Sequence, residues 1–387
     1  MLQILQPLVM RRTQKLIFIV VAVVVSSVAA FAVGGGVYLF AVKQYRYTTV
    51  RPLFRFAFVR GYLFDAKFRR LLELVAARDA DSADTFSIAS DASNSELLSK
   101  RVFQPVEMDG VLRYMYRPGA TVLQVAGANG MYRDMVLEDT PAVREALAEL
   151  DVRSRILASY DEHGFRRADA DLARDCRLHV LFVGDSFTDG VGVSDPETFV
   201  NRFGHRVRER AGLAVCPVNS GVEGFGSQEE AWVLEHRFEA AGRPGVVLVM
   251  FYANDVDTDI DALLDGALPD ADEKWSRTLA SLARMSAFCA REHATMVLAA
   301  IPVKTQMAKP DTRRHYQEVL QLWAAGRGIA FIDLLDGFLR STRDRLYAED
   351  EHFAIAGHDL AAEILDTRTA GWLAARRDVV ALAGGDR

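Results

Sequence analysis

Cysteine is scarce in this chain: only three residues, Cys176, Cys216 and Cys289, stand among 387. None forms a Cys-x-x-Cys pair, so neither a zinc module nor a disulfide-stapled miniprotein framework is expected. The sequence also lacks a phosphate-cradling Walker loop and a dinucleotide fingerprint, and no cofactor is called for. No basic stripe appears in the C-terminal two thirds, and a net charge of -6 with a pI near 5.8 argues against nucleic acid as the main partner. Asp255, Asp257, Asp259, Asp261 and Asp265 resemble a calcium loop only superficially. Counted from Asp255 or Asp257, the sixth residue is Ile260 or Ala262 instead of glycine, and the twelfth is Gly266 or Leu268 instead of glutamate. These aspartates read as a solvated loop, and no metal is expected.

Charge is absent over one long stretch, from Leu16 to Val42. At 1.5 Å per residue this gives about 40 Å of helix, enough to cross a hydrocarbon core of about 30 Å. A cleaved signal is the competing reading, with Arg11, Arg12 and Lys15 as its basic flank and Ala30-Phe31-Ala32 as a small-x-small site. The apolar run continues well past Ala32, which favours an uncleaved span. Basic residues on both sides (Lys43, Arg46, Arg51 and Arg55 on the far one) leave the positive-inside rule undecided. A short tail, one span and a large following domain then read as a single-pass membrane protein with its catalytic domain exported, periplasmic or extracellular.

The expected organisation is a tail at 1–15, a transmembrane helix at 16–42, a membrane-proximal and lead-in region at 43–150, and a catalytic domain at 151–387. Phe54, Phe56, Phe58, Tyr62, Phe64 and Phe68 alternate with arginines, as in a helix near the head groups or one packed beside the membrane. Asp79 to Ser99 has the composition of a linker. Residues 100–150 read as β-rich and then helical near Thr140 to Leu150, with no chemistry of their own. From 151 onward strands and helices alternate. Strands are expected at 178–183, 214–218, 246–251, 295–301 and 329–332, and helices at 197–211, 227–240, 274–292 and 312–325. Ser227-x-x-Glu230 has the form of a capping box. This alternation implies an α/β fold whose parallel sheet is covered on both faces, with ligands bound beyond the carboxyl ends of its strands. Cys176 and Cys216 fall at neighbouring strands and suit either a disulfide or two buried thiols.

Four segments at strand ends carry chemistry. Ser186, in Gly184-Asp-Ser-Phe-Thr-Asp-Gly190, ends the first strand abruptly. A glycine-rich turn from Asn219 to Gly226, then Tyr252-Ala-Asn254-Asp255, follow the next two strands. Asp350-Glu-His352 precedes a helical pattern from Ala354 to Leu365. Together they supply a nucleophile, oxyanion donors, a base and an orienting carboxylate. His352 is the base, and His358, the strongest rival, reads as helix packing. Asp350 shares a face with the imidazole if its segment is extended, whereas Glu349 reaches the ring only if the segment turns. Asp185 and Asp189 read as holding the loop.

On these blocks the sequence resembles the SGNH/GDSL hydrolase family over roughly residues 155–370. Gly-Asp-Ser186 looks like its first block, Asn219-x-Gly-x-x-Gly224 its second, Asn254-Asp255 its third, and Asp350-x-His352 its last. Phe251-x-x-Asn254-Asp255-Val and Gly190-Val-Gly-Val look most like membrane-associated bacterial members, some of which act on acetylated polysaccharides. The resemblance implies a flavodoxin-like three-layer sandwich and a Ser186–His352–Asp350 triad, with an oxyanion hole from Ser186, Gly224 and Asn254. It implies an acyl-ester substrate, and the likeness to members acting on acetylated polysaccharides points to an acetyl ester of envelope carbohydrate. An O-acetyltransferase using the same triad, or a non-catalytic carbohydrate-binding envelope protein, are the alternatives. Two positions depart from the family pattern: Tyr252 replaces a common glycine, and Asp-x-His replaces the commoner Asp-x-x-His.

Overall fold

The computed structural model describes residues 102–126, 132–137, 156–173, 176, 178–256, 260–266, 271–308, 313–348 and 351–383. The expected span at 16–42, the membrane-proximal segment, the linker and the helix near 140–150 lie outside these residues. Among the described residues, no helix is long and apolar enough to cross a membrane.

Five strands form the central sheet: β6 (Leu178–Gly184), β7 (Val215–Asn219), β8 (Val246–Phe251), β9 (Thr295–Ala300) and β10 (Ala330–Asp333). Their order is β10-β9-β8-β6-β7, and every neighbouring pair is parallel. The first strand in sequence thus lies inside the second, the 2-1-3-4-5 winding of a flavodoxin-like fold. Each strand falls within a residue of its expected position. β8, at the centre, buries all its residues, which is why its sequence Val-Val-Leu-Val-Met-Phe shows no polar alternation.

Helices α1 (Phe199–Ala211) and α5 (Ile355–Ala383) pack together, as do α2 (Ser227–Arg237) and α3 (Ala271–Arg291), while α4 (His315–Ala325) adjoins β10. Right-handed crossovers that move outward from β6 to β7 and then back past it to β8 require helices on opposite faces. The 2-1-3-4-5 winding also creates the crevice. The chain leaves β6 in one direction and β8 in the other, so the turns after these strands diverge and leave a gap at their carboxyl ends.

The lead-in is wholly β where it is described. β1 (Phe103–Met108) and β2 (Val111–Tyr116) form a hairpin, and β3 (Thr121–Ala126) pairs with β4 (Tyr132–Leu137) on one side and β5 (Ile156–Ser159) on the other, all antiparallel. Its buried residues Phe103, Tyr114, Tyr116 and Tyr160 share one apolar cluster with Val222, Phe225 and Val233 of the catalytic domain. The lead-in, expected to carry no chemistry, therefore supports the glycine-rich turn.

Helix α2 begins one residue earlier than the expected capping box implies, and only half of such a box forms. Gly226 is the N-cap of α2, and its N–H donates to Glu229 at 3.3 Å, while Ser227 Oγ donates to the Asp255 carbonyl. Glu229, paired with Arg113 of β2 at 2.6 Å, faces the lead-in, and this turns Glu230 into the core.

Cys176 and Cys216 form a disulfide with their Cα atoms 5.5 Å apart, and Cys289 is a buried thiol whose pKa burial pushes up to about 12. His179 lies beside the bridge, 3.5 Å from Cys176 Sγ, so a Cys-His-Cys cluster forms that the sequence spacing did not suggest; both sulfurs are committed to the disulfide. The bridge closes a loop of sequence separation 40, and chain-entropy arguments assign such a loop about 4 kcal/mol. Reducing it, or replacing Cys216 by serine, is expected to lower the unfolding free energy by an amount of that order and so to lower the urea midpoint. An unchanged midpoint under reductant would show that the bridge does not constrain the unfolded chain.

Candidate active site

Ser186 begins a single helical turn, Ser186–Asp189, directly after β6. Asp185 caps this turn by accepting the Phe187 N–H at 2.9 Å, and Gly190 ends it in the left-handed region at φ 90°. The turn sits in a tight seat. From behind, Asn219 Nδ2 donates to the Thr188 carbonyl at 2.7 Å, and Asn219 Oδ1 accepts the Gly221 N–H at 3.0 Å. A Cβ on Gly221 would lie 2.2 Å from the Asp189 amide nitrogen and 2.8 Å from the Asp185 carbonyl oxygen. The glycine at 221 is thus required by the close approach of the serine turn.

The serine loop is also held by Arg166, a residue outside the four expected blocks. Its guanidinium, fully shielded from solvent, donates to Asp195 Oδ1 at 2.6 Å, to the Asp189 carbonyl at 3.0 Å and to the Val193 carbonyl at 2.7 Å. Its backbone N–H donates to the Asn219 carbonyl at 3.0 Å. Burial opposes the Arg166 charge, but Asp195 and Asp189 outweigh it and hold the guanidinium protonated. Asp189 also accepts the Tyr160 hydroxyl at 3.1 Å; burial raises its carboxyl to about 7 against the pull of Arg166 and the tyrosines. Asp185 and Asp189 therefore hold the loop, as expected. Arg166 stands beside Arg167 with no local sign of a special role, since the groups its guanidinium binds lie 23 or more positions away.

His352 Nε2 lies 2.9 Å from Ser186 Oγ, within hydrogen-bonding distance. The imidazole packs beside Phe187, centroid to centroid 5.1 Å, and Phe187 contacts Tyr252 at 4.3 Å and Phe353 at 4.9 Å. Tyr252, at the family's usual glycine position, thus forms part of the apolar wall behind the imidazole.

Glu349 and Asp350 lie outside the described residues. The extended run assumed for Asp350-Glu351-His352 does not occur. Glu351 has φ 79°, the Ala348 N–H donates to the His352 carbonyl at 2.8 Å, and Tyr347 bridges Phe353. Extension therefore no longer distinguishes Asp350 from Glu349.

Gly224 is solvent-exposed and adopts φ 77°, a left-handed conformation that favours glycine. Asn254 is half-buried in the turn after β8. Its Nδ2 donates to the Phe225 carbonyl at 3.3 Å, which ties the third block to the second one residue beyond Gly224. Asp185 is raised to about 6 by burial, with the Phe187 N–H, the His352 charge and the Asn254 side chain pulling the other way. Ser186 and His352 thus meet directly, and Asn254 reaches the residue after Gly224; Ser186, Gly224 and Asn254 lie on the turns after β6, β7 and β8.

His358 is taken up elsewhere. It is fully buried, its Nδ1 accepts the Phe199 N–H at the start of α1 at 3.1 Å, and its ring stacks on Phe199. Burial, helped by the Arg166 and Arg202 charges, lowers its pKa to about 3 and keeps it neutral. Of the aspartates in the apparent calcium loop, Asp255 is buried, Asp261 and Asp265 pair with Arg313, and Asp257 and Asp259 lie outside the described residues.

Residues 182–360 match the family of GDSL-like lipases and acylhydrolases. This segment is a GDSL-like hydrolase domain. Solved structures similar to the chain include TesA (21% identity, TM-score 0.40, covering 50% of this chain and 98% of that one). The esterase EstA from Pseudoalteromonas sp., inhibited by monoethylphosphonate, shares 16% identity at TM-score 0.39, over 50% of this chain and 98% of its own. A catalytic mutant of the acetylxylan esterase Axe2 from Geobacillus stearothermophilus shares 21% identity at TM-score 0.38, over 50% and 94% respectively. No curated protein matches the chain.

The seat of the serine turn yields a direct test. Gly221→Ala must push the turn forward or the glycine loop back, and overpacking of this kind costs about 1–3 kcal/mol. The variant is expected to melt earlier and to lose activity against a short-chain ester together with its reactivity toward a phosphonate. Full activity at wild-type stability would mean that the two loops separate freely.

Proposed function

We propose that the chain is a membrane-anchored serine esterase in which Ser186 is the nucleophile, His352 the base and Asp350 the orienting carboxylate. The observation carrying this reading is the 2.9 Å approach of His352 Nε2 to Ser186 Oγ inside a GDSL-like hydrolase domain. Ser186 Oγ attacks the acyl carbonyl while His352 Nε2 takes its proton, and the tetrahedral oxyanion is met by the Ser186 and Gly224 N–H groups and the Asn254 amide. Collapse expels the alcohol, which receives the proton from His352, and leaves an acyl-serine. Water, activated by His352, then releases the acid; a sugar hydroxyl in its place would make the same site an O-acetyltransferase. Each oxyanion donor contributes roughly 3 kcal/mol where one has been removed in a comparable site.

The substrate class we favour is an acetyl ester of envelope carbohydrate, on the resemblance of Phe251-x-x-Asn254-Asp255-Val to membrane-associated bacterial members. The Cys176–Cys216 bridge favours an oxidising compartment, and with the uncharged run at 16–42 this supports an exported domain on a single-pass anchor. An alkaline phosphatase fused to the C-terminus should then be active in the membrane fraction; an inactive phosphatase beside a fluorescent cytoplasmic reporter would reverse the orientation.

Ser186→Ala is expected to remove essentially all turnover of a short-chain aryl ester and all fluorophosphonate labelling, the loss being on the order of a million-fold in kcat where a serine-protease triad is broken. A non-catalytic carbohydrate-binding protein would not label at all. On the same ester, Asp350→Asn should cost about 10⁴-fold in kcat and Glu349→Gln little. The opposite pattern transfers the orienting role to Glu349.

A further inference from the structure

The turn that follows β9 is fixed from several sides. Ile301 donates its N–H to the Phe251 carbonyl at 2.8 Å, and its own carbonyl accepts the Tyr316 hydroxyl from α4. Two residues on, the Val303 N–H donates to Gln306 Oε1 at 2.8 Å. Gln306 is fully buried, and its Nε2 donates to the Arg313 carbonyl at 2.8 Å and to Gln317 Oε1 at 3.3 Å. Residues 301–306 are thus tied to the end of β8 and to α4, and they form a rigid post.

Two side chains join this post to the loop that carries His352. The Tyr347 hydroxyl donates to the Pro302 carbonyl at 2.8 Å, and Lys304 Nζ donates to the Ala348 carbonyl at 2.6 Å. One bond runs from the loop to the post and the other from the post to the loop. Lys304 lies outside the four blocks from which the site was read.

The loop closes on Ala348. Its N–H donates to the His352 carbonyl at 2.8 Å, and the Ala354 N–H reaches back to the Leu346 carbonyl at 3.0 Å. Inside this closure Glu351 sits at φ 79°, a conformation unfavourable for a residue with a side chain. Such a conformation persists only while its surroundings over-determine it. Glu351 is itself exposed, so the constraint comes from its flanks. On one side Phe353 is buried against Phe187, and on the other Ala348 is held by Lys304.

We propose that Lys304 is a positioning residue for His352, acting through the Ala348 carbonyl, on the reading of His352 as the base. A charged donor makes one of the stronger hydrogen bonds to a carbonyl, and this donor stands on a post that does not follow the loop. With it, Ala348 is held by both its N–H and its carbonyl, and the imidazole stays 2.9 Å from Ser186 Oγ. Without it, the loop relaxes from its unfavourable φ and carries the ring away from the serine. Misplacement of a reacting group by about 1 Å costs about 10²-fold in rate.

Lys304→Met keeps the aliphatic stem and removes the donor. Its kcat on the aryl ester is expected to fall about tenfold or more with KM within about twofold of wild type, and fluorophosphonate labelling of Ser186 to slow by the same factor. Lys304→Arg restores a charged donor and should recover most of the loss. Hydrogen exchange of the amides at 346–354, followed by mass spectrometry on the full chain, reads the loop without catalysis. These amides should exchange about tenfold faster in Lys304→Met and near the wild-type rate in Lys304→Arg. Tyr347→Phe, which cuts the other attachment and keeps the ring, should show the same split and decides the matter if Lys304→Met does not fold. Wild-type kcat in Lys304→Met, or a loss of kcat with unchanged exchange, would overturn the proposal. The exchange measurement does not depend on Ser186: if Ser186→Ala disproves the esterase reading, faster exchange still upholds the lysine clamp on the His352 loop, and unchanged exchange still refutes it.

Discussion

A buried guanidinium organises this site. Arg166 has no solvent to satisfy it, so its donors must find acceptors, and those it finds are the backbone and carboxylates of the loop that follows Ser186. Removing one partner of a buried charge pair typically costs 3–5 kcal/mol, because the other charge stays enclosed and unpaired. Once Arg166 is in place the loop from Asp189 to Asp195 has little freedom. Asn219 and Gly221 then close the seat from behind, and the serine hydroxyl is left facing His352. Precise placement of a nucleophile comes here from backbone acceptors held by one arginine, and the hydrogen bonds of the serine itself are few.

Acidic groups are handled in two contrasting ways in the same small region. Asp189 and Asp195 are neutralised by a cation, whereas Glu230 and Asp255 have only other acids nearby. Asp185 stands between these regimes, raised by burial and pulled back by the His352 charge.

The central sheet was legible because parallel strands covered on both faces must be continuously apolar, and Val246–Phe251 has no other reading of that length. The blocks at strand ends were legible for the same reason: a fold that buries its strands leaves chemistry only at their ends. The capping of α2 was misplaced by one residue because Ser227 and Glu230 fit the pattern while the neighbouring Gly226 and Glu229 make the bond. The last block was drawn as extended because nothing in Glu-Asp-Glu-His signals a non-glycine residue in the left-handed region, which is where Glu351 lies. Arg166 and the lead-in tyrosines were invisible, since Tyr114 reaches the Glu223 carbonyl across a sequence separation of 109. Periodicity does not register contacts of that range.

The family match begins at Phe182, in the middle of β6, and so leaves out Arg166, the hairpin and the small antiparallel sheet. Those omitted pieces nevertheless share one apolar cluster with Val222 and Phe225, which flank Gly224. The family match and the apolar cluster therefore do not share a boundary. Through that cluster the β-rich lead-in and the glycine-rich turn are expected to open together, an amide in β2 exchanging its hydrogen on the same timescale as those around Gly224.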